Sequence, residues 1–497
     1  MTTFFVDPEG SDGAAGDRDH PFKTIGHGLG VESAQRLVVN PGRYTEDLHL
    51  ARSIEIYGPG GSGAVLEGSV EITGNGVRFH GLDVTGGLRV SGAKSLVLED
   101  GVYAPGTADD GLLIVGSSGR VDRIEAHGGP ETCISAKGST LALSDIVLRA
   151  TREGAQPPKR GLRVETSSVA VRRISGSGAS IGLVAAQASS HFTITDADLG
   201  PSQGVGLALT GNVVALAWRI KIHEARSGGI LVSEGEADIR GFEINRIPAP
   251  SSALGVAGGT ARAYDGLIEA VGGTAVSMNA LRGRVADVAL ERVEIRHGAR
   301  TGVGAEDSKL SLKSCRLVGA PEATTDGNDA VVIRGNGSRA VIESTDLESP
   351  AGHGISISND AGGRLSARII RPRLAGVYIA ETAGQDLELV DLSVFDAQGE
   401  SGIYVEHSQD ISLRRVEVTR SAGSGVLAAL GSKINISSSR VLSSRQYGVG
   451  AFGGSEVELG GSTVRGGKWA TFASCADGSF VQDLGNNTFE GPVTTCP

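Results

Sequence analysis

The sequence has few aromatic residues and few cysteines, and it lacks any long apolar run. Aromatic side chains make up 4% of the 497 residues, and four residues are cysteine. No apolar stretch approaches the roughly 20 residues that a helix needs to cross a bilayer. The first residues show no basic region followed by an apolar stretch, so we expect no secretory signal in this sequence. The low aromatic content favours a narrow interior filled by small aliphatic side chains.

Basic residues do not form a cluster anywhere in the chain. The formal net charge is −11, with 46 basic and 57 acidic residues spread along the sequence. Because nucleic-acid binding requires clustered lysine and arginine, we expect no nucleic-acid partner. No zinc-ligand spacing, nucleophile elbow or phosphate-binding loop is found either.

Glycine is abundant, and a short glycine-led pattern recurs between Gly354 and Phe452. Successive copies begin 22, 26, 23 and 23 residues apart. The copies read Gly354-Ile-Ser-Ile-Ser, Gly376-Val-Tyr-Ile-Ala, Gly402-Ile-Tyr-Val-Glu, Gly425-Val-Leu-Ala-Ala and Gly448-Val-Gly-Ala-Phe. A period of this size with strand-like alternation is typical of a β-solenoid. Ile355 and Ile357 should therefore point inward, and Ser356 and Ser358 outward.

Similar aliphatic anchor residues can be followed from Ile54 to Val449. They predict an all-β, single-stranded solenoid of about 18 coils. We expect one continuous domain: residues 1–50 form a capping strand, a helix and the start of the first coil, 51–467 form the solenoid, and 468–497 form a C-terminal cap.

The first 50 residues differ from the repeats. They contain Phe4-Phe-Val-Asp-Pro-Glu-Gly-Ser-Asp, then Pro21-Phe-Lys-Thr-Ile, then Pro41-Gly-Arg-Tyr-Thr-Glu. This order resembles the opening of secreted right-handed parallel β-helix proteins of the pectin-lyase-like superfamily. The resemblance implies a right-handed parallel β-helix and an exported protein. It does not imply one reaction, because lyases, hydrolases, epimerases and non-enzymatic surface proteins share this fold.

Two cysteines bracket the last segment of the chain. We predict that Cys475 and Cys496 form a disulfide, which favours an oxidising compartment. Cys133 falls on an inward position and is expected to be a small core residue. The predicted location is extracellular or at a cell surface, with a bacterial source.

Asp329 and His353 should lie on neighbouring coils, about 5 Å apart. The segments Gly327-Asn-Asp-Ala and Gly352-His-Gly-Ile-Ser-Ile resemble part of the polygalacturonase pattern. The resemblance implies that Asp329 is a catalytic carboxylate and His353 its supporting residue. Asn328 stands where that family has a second aspartate, and inverting hydrolysis needs two separated carboxyl groups.

A lyase or epimerase reaction on a uronic-acid polymer is a related hypothesis. It requires a base and a positive charge beside the sugar carboxylate, and Arg371 and Arg373 could supply these near Asp329. Asp326 and Asp329 are candidate ligands for Ca²⁺, the only cofactor that we consider. A solvated turn with local ion pairs is the simpler interpretation of the arginines.

Tyr378 and Tyr404 should stack on adjacent strands with outward rings. Arg334 and Glu406 flank them in a second outward column. Amphipathic rings between charged groups suit a sugar or a protein partner. Ordinary cross-strand packing would also account for the pair.

Three functions follow from these patterns. The first is a non-catalytic glycan-binding or adhesive protein that uses the tyrosine face. The second is a polysaccharide lyase, epimerase or hydrolase that uses Asp329, His353 and Arg371. The third is a structural spacer. The expected partner is a polysaccharide, a surface glycan or another surface protein, and the chain is expected to be a monomer or a homotrimer.

Overall fold

The structure is a computed structural model. It describes residues 1–61, 63–105, 109–149, 157–297, 300–319, 328–383 and 387–496, with the backbone alone at 270 and 297. The residues group into two compact units, Met1–Asp238 (unit 1) and Ile239–Pro497 (unit 2). In both units nearly every regular element is a β-strand. No helix in the described part of the chain is long and apolar enough to cross a membrane. A single continuous domain with the boundaries given above stays a prediction.

Each coil of unit 1 contributes to two parallel sheets, which we call the front sheet and the back sheet. The front strands are Leu48–Leu50, Val70–Ile72, Leu88–Ser91, Asp110–Val115, Thr132–Lys137, Arg160–Glu165, Gly182–Gln187, Val205–Thr210 and Gly228–Ser233. The back strands are Thr3–Val6, Arg36–Val39, Gly42–Tyr44, Glu55–Tyr57, Ala64–Leu66, Arg78–His80, Asp83–Val84, Leu96–Tyr103, Ser118–His127, Thr140–Arg149, Ser168–Ser177, His191–Leu199 and Val214–His223. The strand Glu236–Arg240 spans the division between the units.

Unit 2 has the same two sheets. Its front strands are Leu254–Ala257, Val276–Asn279, Val303–Glu306, Val331–Arg334, Ile355–Ser358, Val377–Ala380, Ser401–Glu406, Ser424–Ala429, Tyr447–Ala451 and Trp469–Ala473. Its back strands are Glu243–Ile247, Thr260–Val271, Asp287–His297, Lys309–Lys313, Arg316–Val318, Arg339–Glu348, Gly362–Ile370, Leu387–Val390, Ser393–Phe395, Ile411–Arg414, Glu417–Thr419, Lys433–Ser437, Arg440–Ser444, Glu456–Gly460, Thr463–Gly466, Phe480–Asp483 and Thr488–Glu490.

The described front strands confirm the predicted all-β parallel solenoid. They number nine in unit 1 and ten in unit 2, so the chain makes about 19 turns where the anchors predicted about 18. The predicted anchor Ile54 lies just before a back strand. The first front strand is instead Leu48–Leu50, and the last is Trp469–Ala473.

Alternation along the strands places aliphatic side chains inside each unit. Ile355 and Ile357 are buried, whereas Ser356 and Ser358 on the same strand remain partly exposed. Leu112 and Ile114 of unit 1 are buried in the same way. Parallel pairing stacks like positions of successive coils, and these columns of aliphatic side chains form the core.

The repeated glycines of unit 2 are required by close packing within each coil and between adjacent coils. A Cβ at Gly402 would lie 2.3 Å from Cγ1 of Val418 and 2.8 Å from the carbonyl oxygen of Gly425. At Gly376 it would lie 2.4 Å from Cγ1 of Val394. Any larger residue would therefore push the front strand away from the back strand of its own coil and from the next coil.

Buried serine hydroxyl groups accept hydrogen bonds from backbone amides in turns that follow front strands. In unit 1 the backbone N–H of Ser139 donates to Oγ of Ser167 at 3.0 Å, and the Ser139 hydroxyl donates to the Lys137 carbonyl at 2.8 Å. In unit 2 Ser432 and Ser455 repeat this contact at 3.0 Å. Each hydroxyl thus joins two coils and leaves no buried turn amide unpaired at these positions.

A left-handed residue bends many of the back strands at the same point. In unit 1 this position holds Arg123, Asp145, Arg173 and Asp196, with φ between 49° and 58°. The Arg173 guanidinium forms two hydrogen bonds with the Asp145 carboxylate on the preceding coil. Left-handed backbone is unfavourable for these residues, and the bidentate ion pair offsets part of that cost.

The first coil is covered by the α-helix Ile25–Gly30. Thr24 caps it by accepting a hydrogen bond from the His27 N–H, and the Glu46 carboxylate accepts from the N–H groups of Ile25 and Gly26 at 2.8 and 2.7 Å. These contacts satisfy amides that the first turn of a helix leaves unpaired.

The end of unit 2 contains the predicted disulfide, Cys475–Cys496, and the short 3₁₀ helix Cys475–Asp477. Cys133 and Cys315 are free and buried, and Cys133 is the small core residue that its inward position predicted. Trp469–Ala473 pairs in parallel with Tyr447–Ala451, so regular pairing continues beyond residue 468, the predicted start of the cap.

Candidate functional site

The outward side of the front sheet in unit 2 brings the sequence candidates together. Tyr378 lies opposite Tyr404 on the next strand and opposite Ser356 on the preceding one. Ala380 lies opposite Glu406 in the second outward column. The period-2 alternation therefore places the tyrosines and Glu406 on one face.

Three rings form a continuous stack on this face. The centroids of His353 and Tyr378 are 4.8 Å apart with the planes 16° from parallel. Tyr378 and Tyr404 follow at 5.9 Å and 30°. All three side chains are half-buried, so each ring keeps an accessible surface. We call this row of His353, Tyr378 and Tyr404 the ring stack.

Glu406 lies at the edge of the ring stack. The Tyr378 hydroxyl donates a hydrogen bond to Oε1 of Glu406 at 2.5 Å. Burial, and then the Glu406 carboxylate, raise the pKa of Tyr404 to about 12. The same two causes raise the pKa of Tyr378. Both tyrosines are therefore neutral near pH 7 and direct their hydroxyl groups at one carboxylate.

Asp329 and His353 are in contact, but Asp329 is occupied by local hydrogen bonds. The His353 N–H donates to Oδ1 of Asp329 at 2.7 Å, and the Ser356 hydroxyl interacts with the same carboxyl group. Burial raises the pKa of Asp329, whose side chain is almost inaccessible, against the smaller effects of His353 and Ser356. The pair thus combines a carboxyl group that resists ionisation with a neighbouring imidazole.

The His353 imidazole is held in one orientation. Its Nδ1 accepts a hydrogen bond from the Ala375 N–H at 3.1 Å. Burial lowers the pKa of His353, and Asp329 opposes this effect. In the neutral ring Nε2 then carries the proton, so His353 can donate one hydrogen bond from the ring stack.

The two arginine candidates, Arg371 and Arg373, lie in the turn between a back strand and the next front strand. Arg371 begins the turn after Gly362–Ile370, and its N–H donates to the Phe395 carbonyl at 2.8 Å. It contributes, after Arg316, to a lowered pKa of Glu348. The Arg373 N–H donates to the Pro350 carbonyl at 3.1 Å. A direct role of Arg371 or Arg373 beside Asp329 stays a prediction.

Arg334 is exposed on the front sheet, opposite Ser358. The calcium hypothesis paired Asp329 with Asp326, and Asp326 lies outside the described residues. Within the described ranges, no three His, Cys, Asp or Glu residues are grouped as a metal site would require. Calcium binding therefore stays a prediction.

A second aromatic cluster on the same face was not expected from the sequence. Tyr447 and Phe472 stack at 5.0 Å, and Phe452 and Phe472 lie 5.0 Å apart. Trp469 joins at 6.3 Å from Phe472. Trp469 and Phe472 belong to the predicted C-terminal cap. The alternating Trp-Ala-Thr-Phe-Ala is the sequence signal that could have placed them on a front strand.

Unit 1 carries a groove on its own front sheet that sequence reasoning also missed. The groove has a volume of about 710 Å³ and is lined by Glu71, Arg89, Asp110, Leu113 and Lys137, among others. Burial raises the pKa of Asp110, partly offset by its hydrogen bond with Thr132 and the charge of Lys137. Among the described residues, the lining contains five charged side chains and no aromatic ring.

Comparison with known proteins gives the type of fold. Residues 290–464 and 401–492 match the family model described as "Right handed beta helix region". A search of curated proteins finds no significant match.

Several solved structures resemble the chain at low identity. The periplasmic alginate epimerase AlgG is 12% identical, with 60% of this chain and 77% of that chain covered and a TM-score of 0.40. The Dettilon tailspike protein is 12% identical, with 62% of this chain and 66% of that chain covered and a TM-score of 0.39. An α-1,3-glucanase from Streptomyces thermodiastaticus is 13% identical, with 99% of this chain and 70% of that chain covered and a TM-score of 0.31.

The family-model match and the parallel coils agree on the architecture. The chain has the fold of a right-handed parallel β-helix, which the resemblance of its first 50 residues implied. Membership of the pectin-lyase-like superfamily stays a prediction.

Proposed function

We propose that this protein is an extracellular, non-catalytic glycan-binding protein whose ligand lies on the ring stack of unit 2. The observation that carries the proposal is the row His353, Tyr378 and Tyr404, stacked at 4.8 and 5.9 Å on an outward sheet face. Because stacked rings cover one another's faces, a sugar would meet the ring edges and the polar groups beside them.

Polar groups suitable for sugar hydroxyls border the rings. Ser356 and Ser358 lie half-buried on the strand before Tyr378. His353 has an Nε2–H group to donate, and Glu406 accepts hydrogen bonds at the far edge. Apolar faces with a few fixed polar groups are the usual composition of a small-ligand site.

The location rests on the Cys475–Cys496 disulfide. Disulfides persist in oxidising compartments and are rare in the cytosol. This supports an extracellular or surface location, which suits a protein that meets polysaccharides or surface glycans.

The experiment is a binding screen of the wild-type protein against an array of neutral, amino and uronic oligosaccharides, followed by calorimetry of the best ligand. Tyr404→Ala should weaken the binding of that ligand about five- to thirtyfold, because an aromatic ring in contact with a ligand contributes on the order of 1–2 kcal/mol. Trp218→Ala is the matched control, since Trp218 is an exposed ring in unit 1, 55% accessible, on the back sheet. Equal loss in both variants would contradict the proposal.

A polysaccharide-active enzyme is the second candidate, favoured by one specific observation. Asp329 and His353 touch, and burial shifts their pKa values in opposite directions. Such pairs occur at catalytic sites. Against this, Oδ1 of Asp329 accepts the His353 N–H, and a single carboxylate cannot serve as both acid and base in inverting hydrolysis.

Turnover separates the two candidates. Uronic and neutral polymers are incubated with the protein, with and without Ca²⁺, while unsaturated products and new reducing ends are measured. Activity that disappears in Asp329→Ala or Arg371→Ala would replace the binding proposal with the enzymatic one. If the protein neither binds nor converts any polymer, the structural spacer is the function that remains.

A further inference from the structure

We propose that Asn336 of unit 2 is a site of spontaneous covalent modification, at which the side-chain amide becomes a carboxylate through a cyclic imide. The inference concerns the turn after the front strand Val331–Arg334 and does not depend on glycan binding. The sequence contains two Asn-Gly pairs, Asn75-Gly76 and Asn336-Gly337, and each is preceded by glycine. The same reaction can therefore be compared in the two units.

The reaction needs an unhindered backbone nitrogen directly after the asparagine. The Gly337 nitrogen attacks Cγ of Asn336 and forms a bond to it, while the side-chain nitrogen leaves as ammonia with the proton that the Gly337 nitrogen gives up. Water then adds its hydroxyl to one of the two imide carbonyl carbons, the bond from that carbon to nitrogen breaks, and the nitrogen regains a proton. Opening at Cγ gives aspartate, and opening at the main-chain carbonyl gives isoaspartate. Glycine favours the attack because it has no Cβ beside the nitrogen.

Asn336 and Gly337 occupy the central positions of an exposed β-turn. The Ser338 N–H donates a hydrogen bond to the Gly335 carbonyl at 2.9 Å, which closes the turn around them. Both central residues are exposed. Among the residues that the structure describes, none forms a hydrogen bond with the Gly337 N–H or with the Asn336 side chain. The attacking nitrogen and the amide can therefore approach each other and meet water.

The equivalent turn of unit 1 is held by the next coil. Asn75 and Gly76 follow the front strand Val70–Ile72, and the Asn75 side chain is also exposed. The Lys94 N–H donates to Oδ1 of Asn75 at 2.8 Å, and the Gly76 N–H donates to the Lys94 carbonyl at 2.8 Å. Attack at Asn75 must first break both hydrogen bonds, whereas no such contact with a described residue restrains Asn336.

The conversion changes the surface of unit 2. It adds a negative charge two residues after Arg334, an exposed residue at the end of its front strand. In the isoaspartate product the main chain also runs through Cγ, which lengthens the turn by one carbon atom. We therefore expect the protein to separate into charge variants on ion exchange as it ages.

The test is incubation of the intact protein at neutral pH and physiological temperature, followed by peptide mapping with mass spectrometry. The mapping detects the replacement of the amide NH₂ by OH and separates aspartate from isoaspartate peptides. We expect Asn336 to convert at least about tenfold faster than Asn75, because breaking two hydrogen bonds adds to the barrier at Asn75. Conversion of Asn75 as fast as that of Asn336 would overturn the inference, as would an Asn336 that does not convert.

Unfolding separates the effect of the structure from that of the local sequence. In concentrated guanidinium chloride both sites should react at similar rates, because both lie in the sequence Gly-Asn-Gly. A difference that persists in the unfolded chain would refute the protective role of the Lys94 contacts.

A variant tests the attacking nitrogen. The Gly337 backbone is not left-handed, and among the described residues an added Cβ would meet only Cα of Asp307, at 4.0 Å, so the fold accommodates alanine there. Gly337→Ala should slow the conversion of Asn336 severalfold, because the methyl group hinders the nitrogen, and should leave the rate at Asn75 unchanged. Equal rates at Asn336 in this variant and in the wild type would contradict the assignment.

Discussion

The front sheets of the two units share one geometry and carry different chemistry. In unit 1 the outward positions hold Arg89 and Lys137, and with Asp110 they border a charged groove. In unit 2 the equivalent outward side holds Tyr378 and Tyr404. The inward positions of both are aliphatic. The solenoid therefore constrains one side of each strand and leaves the other free to specialise, which is why the fold alone does not give the function.

The interiors differ as well, at the position just before each front anchor. Unit 2 has glycine at five successive copies of this position, Gly402 among them. Four successive copies in unit 1 alternate smaller and larger residues, namely Gly111, Cys133, Gly161 and Leu183. Alternation lets side chains of these adjacent coils interdigitate, whereas each glycine of unit 2 brings its front strand close to Val418 or its equivalent on the back strand of the same coil.

The largest expected effect separates the two outward faces. The double variant Tyr378→Ala/Tyr404→Ala should weaken glycan binding about a hundredfold, because the contacts of two rings and two hydroxyl groups are lost. Arg89→Ala/Lys137→Ala, in the unit 1 groove, should leave the affinity within about twofold. Calorimetry with the best ligand measures both, and the reverse pattern would move the site to unit 1.

The next largest expected effect is on stability, at the interior position just before each front anchor. Gly402→Ala should lower the free energy of unfolding by about 1–3 kcal/mol, because its Cβ would lie 2.3 Å from Cγ1 of Val418. Cys133→Ala, at the equivalent position of unit 1, should cost about 1 kcal/mol by leaving a small void. Denaturant unfolding gives both values. A larger loss at Cys133 would show that unit 1 is the more tightly packed.

Asp329 and Asp145 should respond to pH with opposite signs. Burial raises the pKa of Asp329 in the folded unit 2, so this group adds stability as the pH falls from neutral through its folded pKa. Asp329→Asn should therefore be at least as stable as the wild type at pH 7 and lose that advantage in acid. Thermal unfolding at several pH values tests this, and a large loss at pH 7 would contradict it.

The smallest expected effect on stability concerns the ion pair of Asp145 and Arg173 on the back strands of unit 1. A hydrogen bond from Arg173 lowers the pKa of Asp145, so its stabilising contribution is present above the unfolded value of 3.8 and is lost as the pH falls through the folded value. Asp145→Asn should lower the melting temperature by about 1–2 °C at pH 7, since exposed ion pairs contribute little. The difference should disappear near pH 2, and a constant difference would refute the ion-pair explanation.

The fold could be read from the sequence because one period fixes it. The 22–26-residue spacing and the alternation of Ile355 and Ile357 with serines predict parallel coils with defined inward and outward columns. The same columns predicted that Tyr378 would face Tyr404. The disulfide followed from the positions of Cys475 and Cys496.

The stacking of His353 on the tyrosines could not be predicted from the sequence in this way. His353 and Tyr378 belong to different columns, and their stacking depends on side-chain direction, which spacing does not give. The ion pair of Asp145 and Arg173 was also missed, because an arginine in left-handed backbone inside a strand gives no signal in the sequence. The groove of unit 1 arises from several coils whose charges look scattered along the chain.

Hydroxyl-radical footprinting with mass spectrometry tests the central claim most directly, because it reports on both front faces in one experiment. In the presence of the best-binding oligosaccharide, we expect oxidation of Tyr378 and Tyr404 to fall several-fold while Leu113 and the exposed Trp218 react as before. Protection of Leu113 with unchanged tyrosines would contradict the account and assign glycan binding to the charged groove of unit 1.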